Sequence, residues 1–97
     1  MIKLKCITCG NEHQWEDKEL KYVFAGLGTK RERGPEKIYA GTIKLFCEKC
    51  NHRIKASFHF WEYPATVLNY ADFDEEGCVV MEEPNYQSYL KVMEVVN

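Results

Sequence analysis

Thr42-Ile43-Lys44-Leu45-Phe46-Cys47-Glu48-Lys49-Cys50-Asn51-His52-Arg53-Ile54-Lys55 places a tight Cys-x-x-Cys turn between two apolar runs. Residues 37–46, before the turn, are rich in aromatic and β-branched side chains and predict a strand. After the turn Ile54, Ala56, Phe58 and Phe60 alternate with Arg53, Lys55, Ser57 and His59, the two-residue period of a half-buried strand. Pro64 stops that strand. The N-terminus repeats the plan. Ile2, Leu4 and Cys6 alternate with Lys3 and Lys5 and lead into Cys6-Ile7-Thr8-Cys9-Gly10, and His13-Gln14-Trp15 leaves as another strand.

Two residues between cysteines let both sulfurs of one turn point at the same cation, so Cys6, Cys9, Cys47 and Cys50 predict a tetrahedral thiolate site. Gly10 and Asn51 follow the two pairs, and these residue types best tolerate the left-handed backbone such a turn needs. A disulfide framework fits poorly with a chain that shows no secretory leader. A thioredoxin-like motif requires a strand-to-helix setting, whereas the residues after each pair read as strand. One Zn2+ is the expected metal, with iron in a rubredoxin-like site as the rival, since four thiolates accept either. Four cysteines leave no position open to water, so the expected role of the metal is structural. Cys78 is left over. Asp72, Asp74, Glu75 and Glu76 precede it, and carboxylates raise a thiol pKa, so it reads as a small buried side chain in the strand 78–81.

Residues 20–27 and 37–46 read as a long hairpin around a solvated loop, Gly28-Thr29-Lys30-Arg31-Glu32-Arg33-Gly34-Pro35-Glu36. With the metal turns on either side, residues 4–60 resemble the zinc-ribbon family. Residues 42–58 are similar to the closing segment of the ribbons in transcription elongation factors and small RNA polymerase subunits. That resemblance implies a ribbon fold and a bound zinc. The acidic pair that elongation factors carry at the hairpin tip is replaced by Lys30-Arg31-Glu32-Arg33, so a polymerase-cleavage role does not carry over. The expected fold is therefore mainly β, small and metal-stapled: a ribbon with rubredoxin-like knuckles over 1–61, and an acidic extension, 62–97, packed on it as part of one structural domain. Residues 65–71 are ambiguous between strand and short helix. Tyr86, Tyr89, Leu90 and Met93 recur at helical spacing after Pro84 and an N-cap at Asn85, predicting a closing helix over 86–95.

The chain has 97 residues, 45% hydrophobic and 29% charged, with no apolar run near the roughly 20 residues of a bilayer crossing. A cytoplasmic location without membrane association is expected. Residues 1–61 carry 12 Lys/Arg against 7 Asp/Glu, and residues 62–97 carry 1 against 8. The preferred explanation is that the acidic part folds back on the basic part; a nucleic-acid face is the alternative. For that alternative the candidate contacts are Lys30, Arg31 and Arg33 at the hairpin tip and Arg53 and Lys55 on the strand, with Trp15 or Trp61 available to stack a base.

Asp72, Asp74, Glu76, Gly77 and Glu83 match part of a calcium-loop spacing, but Pro84 falls where the outgoing helix belongs, so an acidic turn is preferred. His13, His52 and His59 read as structural or exposed, because four cysteines already saturate a metal. No nucleophile–base constellation or phosphate-binding glycine loop stands out. The sequence thus points to a non-catalytic interaction module without a small-molecule substrate. A protein partner is preferred, in the manner of a regulator, inhibitor or immunity-type protein. A nucleic-acid or transcription-complex ribbon is the alternative, and a rubredoxin-like electron carrier the second alternative.

Overall fold

A computed structural model of the chain describes residues 1–32 and 34–90. Among these residues seven strands form two antiparallel sheets. Strand β1 (Ile2–Cys6) lies between β2 (Glu12–Trp15) and β7 (Cys78–Glu82). The second sheet runs in the order β3 (Val23–Arg31), β4 (Gly34–Phe46), β5 (Arg53–Glu62), β6 (Leu68–Glu76). A 3-10 turn, Asp17–Glu19, links β2 to β3, and residues 86–90 are helical. Residues 91–95 of the expected helix, Met93 among them, lie outside the described residues.

Strand β5 organises the molecule. Its two-residue alternation is realised directly: Ile54, Ala56, Phe58 and Phe60 are fully buried, while the side chains between them stay at least partly accessible. They pack with Ile2 and Leu4 of β1, Tyr39 of β4, and Tyr86 and Leu90 of the helical segment in one core. Phe60 is the hub of an aromatic cluster, with ring centroids 5.0 Å from Tyr22, 5.1 Å from Tyr39, and 5.6 Å from both Tyr86 and Tyr89. Each fully buried side chain of this size contributes on the order of 1.5–3 kcal/mol through desolvation.

Residues 62–90 do not stand apart from the rest. They supply an outer strand to each sheet, β6 beside β5 and β7 beside β1. The ambiguous stretch 65–71 resolves into a turn, with Thr66 at positive φ, followed by the start of β6. The acidic segment is strand as well, and its register sets Glu76 opposite Lys55 and Asp72 opposite His59. That arrangement excludes a calcium loop over 72–83. Alternate residues on one face of a strand stand roughly 6.6 Å apart along its axis, so Asp72, Asp74 and Glu76 spread along a line instead of wrapping one ion.

The expected loop over 28–36 is also corrected. Strand β3 continues to Arg31 and β4 begins at Gly34, so only Glu32 and Arg33 connect them. Side chains that read as solvated have partners here. Glu36 is buried; it accepts a hydrogen bond from Asn69 Nδ2 at 2.8 Å and pairs with Arg31 at 3.4 Å. The glycines mark irregular pairing, with register shifts between Phe24 and Gly26 and between Leu27 and Lys30.

Candidate metal centre

The two Cys-x-x-Cys turns are built alike. In the first, Gly10 N–H donates to the Cys6 carbonyl at 2.9 Å and Cys6 N–H to the Asn11 carbonyl at 2.9 Å. In the second, Asn51 N–H donates to the Cys47 carbonyl at 2.7 Å and Cys47 N–H to the His52 carbonyl at 2.8 Å. Closing each turn requires a left-handed residue just after the second cysteine, and Gly10 (φ 78°) and Asn51 (φ 59°) provide it. Each turn sits at the end of a strand, β1 or β4, and the core holds those strand ends together.

The four sulfurs lie within 4.8 Å of one another. Cys6 Sγ is 3.6 Å from Cys50 Sγ, and Cys9 Sγ is 3.6 Å from Cys47 Sγ. A tetrahedral zinc site with Zn–S bonds of about 2.3 Å has sulfur–sulfur edges of about 3.8 Å, so these residues fit a four-thiolate metal. Cys6 and Cys47 are buried, Cys50 is half-buried and Cys9 is exposed.

Electrostatics agree with that geometry. The Cys9 N–H, more than any other group, holds the Cys6 thiol below its ordinary range. The Cys50 N–H and then the His13 side chain hold Cys47 down, to about 5. At Cys50 the His52 N–H works in the same direction. Burial and the sulfurs of Cys6, Cys9 and Cys47 outweigh it and push that thiol up to about 12. Thiolate charge is thus favoured at Cys6 and Cys47 and opposed at Cys50 by the neighbouring sulfurs, a repulsion that a cation in the cluster would offset.

His13 is a contributor that the sequence did not reveal as such. Strand pairing sets it opposite Leu4, two residues before Cys6. Its Nε2 lies 3.4 Å from Asn11 Nδ2, and its ring stacks on Trp15 at 6.1 Å between centroids. Counting two-residue steps back along β2 would have placed it on the metal side. Gly77 is the second such residue. A Cβ there would overlap the Arg53 carbonyl oxygen, its φ is 73°, and its own carbonyl accepts the Ile7 N–H at 3.2 Å. The chain crosses from β6 to β7 at this point, hydrogen-bonded to the first metal turn and tight against the start of β5. Cys78 stands beside Cys6 in register, yet its Sγ lies 3.7 Å from the Lys55 carbonyl oxygen, outside the cluster. Burial first, and Glu75 among the charges, push its thiol up.

The other candidate residues do not converge. Lys30 and Arg31 occupy the β3–β4 turn, where Arg31 pairs with Gly34; Arg53 pairs with Phe46 at the far end of β4. Twelve residues of extended chain separate those positions, roughly 40 Å at 3.3 Å per residue. Arg31 is also engaged within the fold, by Glu36 and by the Tyr63 ring 5.1 Å from its guanidinium carbon. Arg33 lies outside the described residues. Trp61 packs edge-on against Tyr70 at 5.0 Å. Among the described residues no helix is long and apolar enough to cross a membrane. No family model matches the chain, and no curated protein or solved structure is significantly similar to it.

Proposed function

We propose that this is a non-catalytic protein, stapled by one structural zinc, that binds another protein through its acidic C-terminal strands. The supporting observation is the placement of Asp72, Asp74 and Glu76 along β6, an edge strand of the larger sheet. All three are exposed, and among the described residues the ion pairs join Met1 to Asp17 and Arg31 to Glu36, leaving these acids outside them. A partner with a basic surface complements such a strand, and charge of this kind contributes mainly to association rate and specificity. A regulator, inhibitor or immunity-type role against a basic protein belongs to this class.

The test uses zinc-loaded protein as bait beside its D72K/D74K/E76K variant at matched salt. Basic partners should be retained by the native chain and by a K30A/R31A control, and lost to the charge-reversed variant. Partners retained equally by all three would count against the proposal. Zinc is preferred over iron for the four-thiolate site, and a colourless purified protein with one equivalent of zinc is expected; a red protein would favour an electron carrier.

One observation favours the nucleic-acid alternative. Phe46 is 64% exposed beside Arg53, and Lys44 and Lys55 pair next to it on the same sheet face, which makes a small stacking platform with cations. Titration of labelled single- and double-stranded DNA and RNA decides it. Salt-sensitive binding lost in F46A would promote that reading.

A further inference from the structure

Two strands end the larger sheet, and they differ in how well they can accept another strand. Strand β3 is irregular, with two register shifts, and such bulges twist an edge away from further pairing. Strand β6 is regular where it matters. From Tyr70 to Glu76 it pairs with β5 residue for residue, without a shift, from Trp61 back to Lys55. Its first residue is capped by a side chain, the Leu68 N–H donating to Gln87 Oε1 at 3.1 Å. Backbone–backbone hydrogen bonds outside the ladders involve none of residues 69–76 among the described residues. Among the described residues the outer row of N–H and C=O groups over 70–76 is therefore open and evenly spaced.

The side chains define what that row accepts. Tyr70, Asp72, Asp74 and Glu76 share the face that carries Trp61, His59, Ser57 and Lys55 of β5. Ala71 and Phe73 share the opposite face, with the core residues Phe60 and Phe58 as their partners, and remain half-buried at the edge. A strand laid beside β6 sets one alternate set of its side chains against the acids and the other against Ala71 and Phe73, with Glu75, already accepting the Val80 N–H at 2.7 Å, at the end of that second set.

We infer that the edge of β6 captures an extended segment in which Lys or Arg alternates with β-branched or apolar residues, adding it to the sheet as a fifth strand. This rests on the basic-partner proposal and specifies how that partner is held. Main-chain hydrogen bonds supply affinity, and the alternation supplies specificity. Carboxylates on an edge are also the usual protection against unwanted pairing. Here they reject a second copy of β6, whose acids would face their own kind, and admit a strand of opposite charge.

The probe is a fluorescein-labelled peptide of alternating Lys and Val, nine residues long, compared with two N-methylated forms. One is methylated on every Lys nitrogen and the other on every Val nitrogen. Alternate amides of a strand point to opposite edges, so strand addition uses only one set. Anisotropy titration of the zinc-loaded full chain should show one methylated form at least tenfold weaker and the other close to the parent. Amide exchange over residues 70–76 should slow when the parent peptide binds. Equal binding of all three peptides, lost in D72K/D74K, would overturn strand addition while leaving the basic-partner reading intact. Absence of binding at low salt would also overturn it, showing that the acids only protect the edge, and the bait experiment would then judge the partner reading separately.

Discussion

Cys6, Cys9, Cys47 and Cys50 carry the local argument, since each supplies one corner of the four-sulfur cluster. Serine at any one position should cost the bound metal and several kcal/mol, because metal binding free energy is folding free energy in a chain this small. Cys78→Ala is the internal control. It should keep one metal equivalent and lose only about 1–2 kcal/mol, the scale of a small buried truncation, as read by elemental analysis and denaturant melts. Gly77 makes a second residue-level prediction. Alanine there must adopt φ near 73° and displace the Arg53 carbonyl, so G77A should lose more than about 2 kcal/mol in chemical denaturation. An unchanged denaturation midpoint would show that the β6–β7 corner shifts freely.

At the scale of elements, β5 does most to hold the sheets together, because its inward face is buried from Ile54 to Phe60. Phe58→Ala should destabilise by about 3–5 kcal/mol. Leu27→Ala on β3 should stay within about 0.5 kcal/mol, since Leu27 is 60% exposed. Melts of both variants with metal bound check the pair. The contrast explains what was legible in the chain. The alternation of β5 is regular because one face meets a core and the other meets water. The end of β3 and the start of β4, within residues 28–36, carry glycines, a proline and charges, so composition resembled a loop where the chain is paired. Charged residues misled as well: Glu36 and Arg31 look solvated in sequence, yet they pair with each other across the β3–β4 hairpin, and β6 adds Asn69 as a second partner of Glu36.

For the whole molecule, the aromatic cluster gives a pH prediction. Burial, more than any other cause, raises the Tyr22, Tyr39 and Tyr86 hydroxyls above the ordinary tyrosine range, with Tyr39 pushed up to about 12. A group whose folded pKa lies above its unfolded value contributes stability that is complete below the unfolded pKa, near 10. That contribution declines as pH rises from about 10 toward the folded values. Stability should therefore fall in this alkaline window, and ultraviolet titration should show part of the tyrosine absorbance appearing only with unfolding. Replacing Tyr39 with Phe should reduce the slope of stability against pH there. Completion of all tyrosine ionisation near pH 10 without unfolding would contradict the buried cluster.

What the sequence determined by itself was local: the two metal turns, the left-handed residues that close them, the alternating strand after Cys50 and the mainly β character. Each follows from short-range covalent geometry or from a two-residue period, and both can be read along the chain. Tertiary structure decided the remainder. It made the acidic segment an outer strand, set His13 beside Cys47, fitted Gly77 against Arg53 and brought Asn69 to the buried Glu36 carboxylate. Those outcomes depend on register between segments remote in sequence. Register is selected by burying one face of every strand at once, a condition that no single stretch of sequence contains.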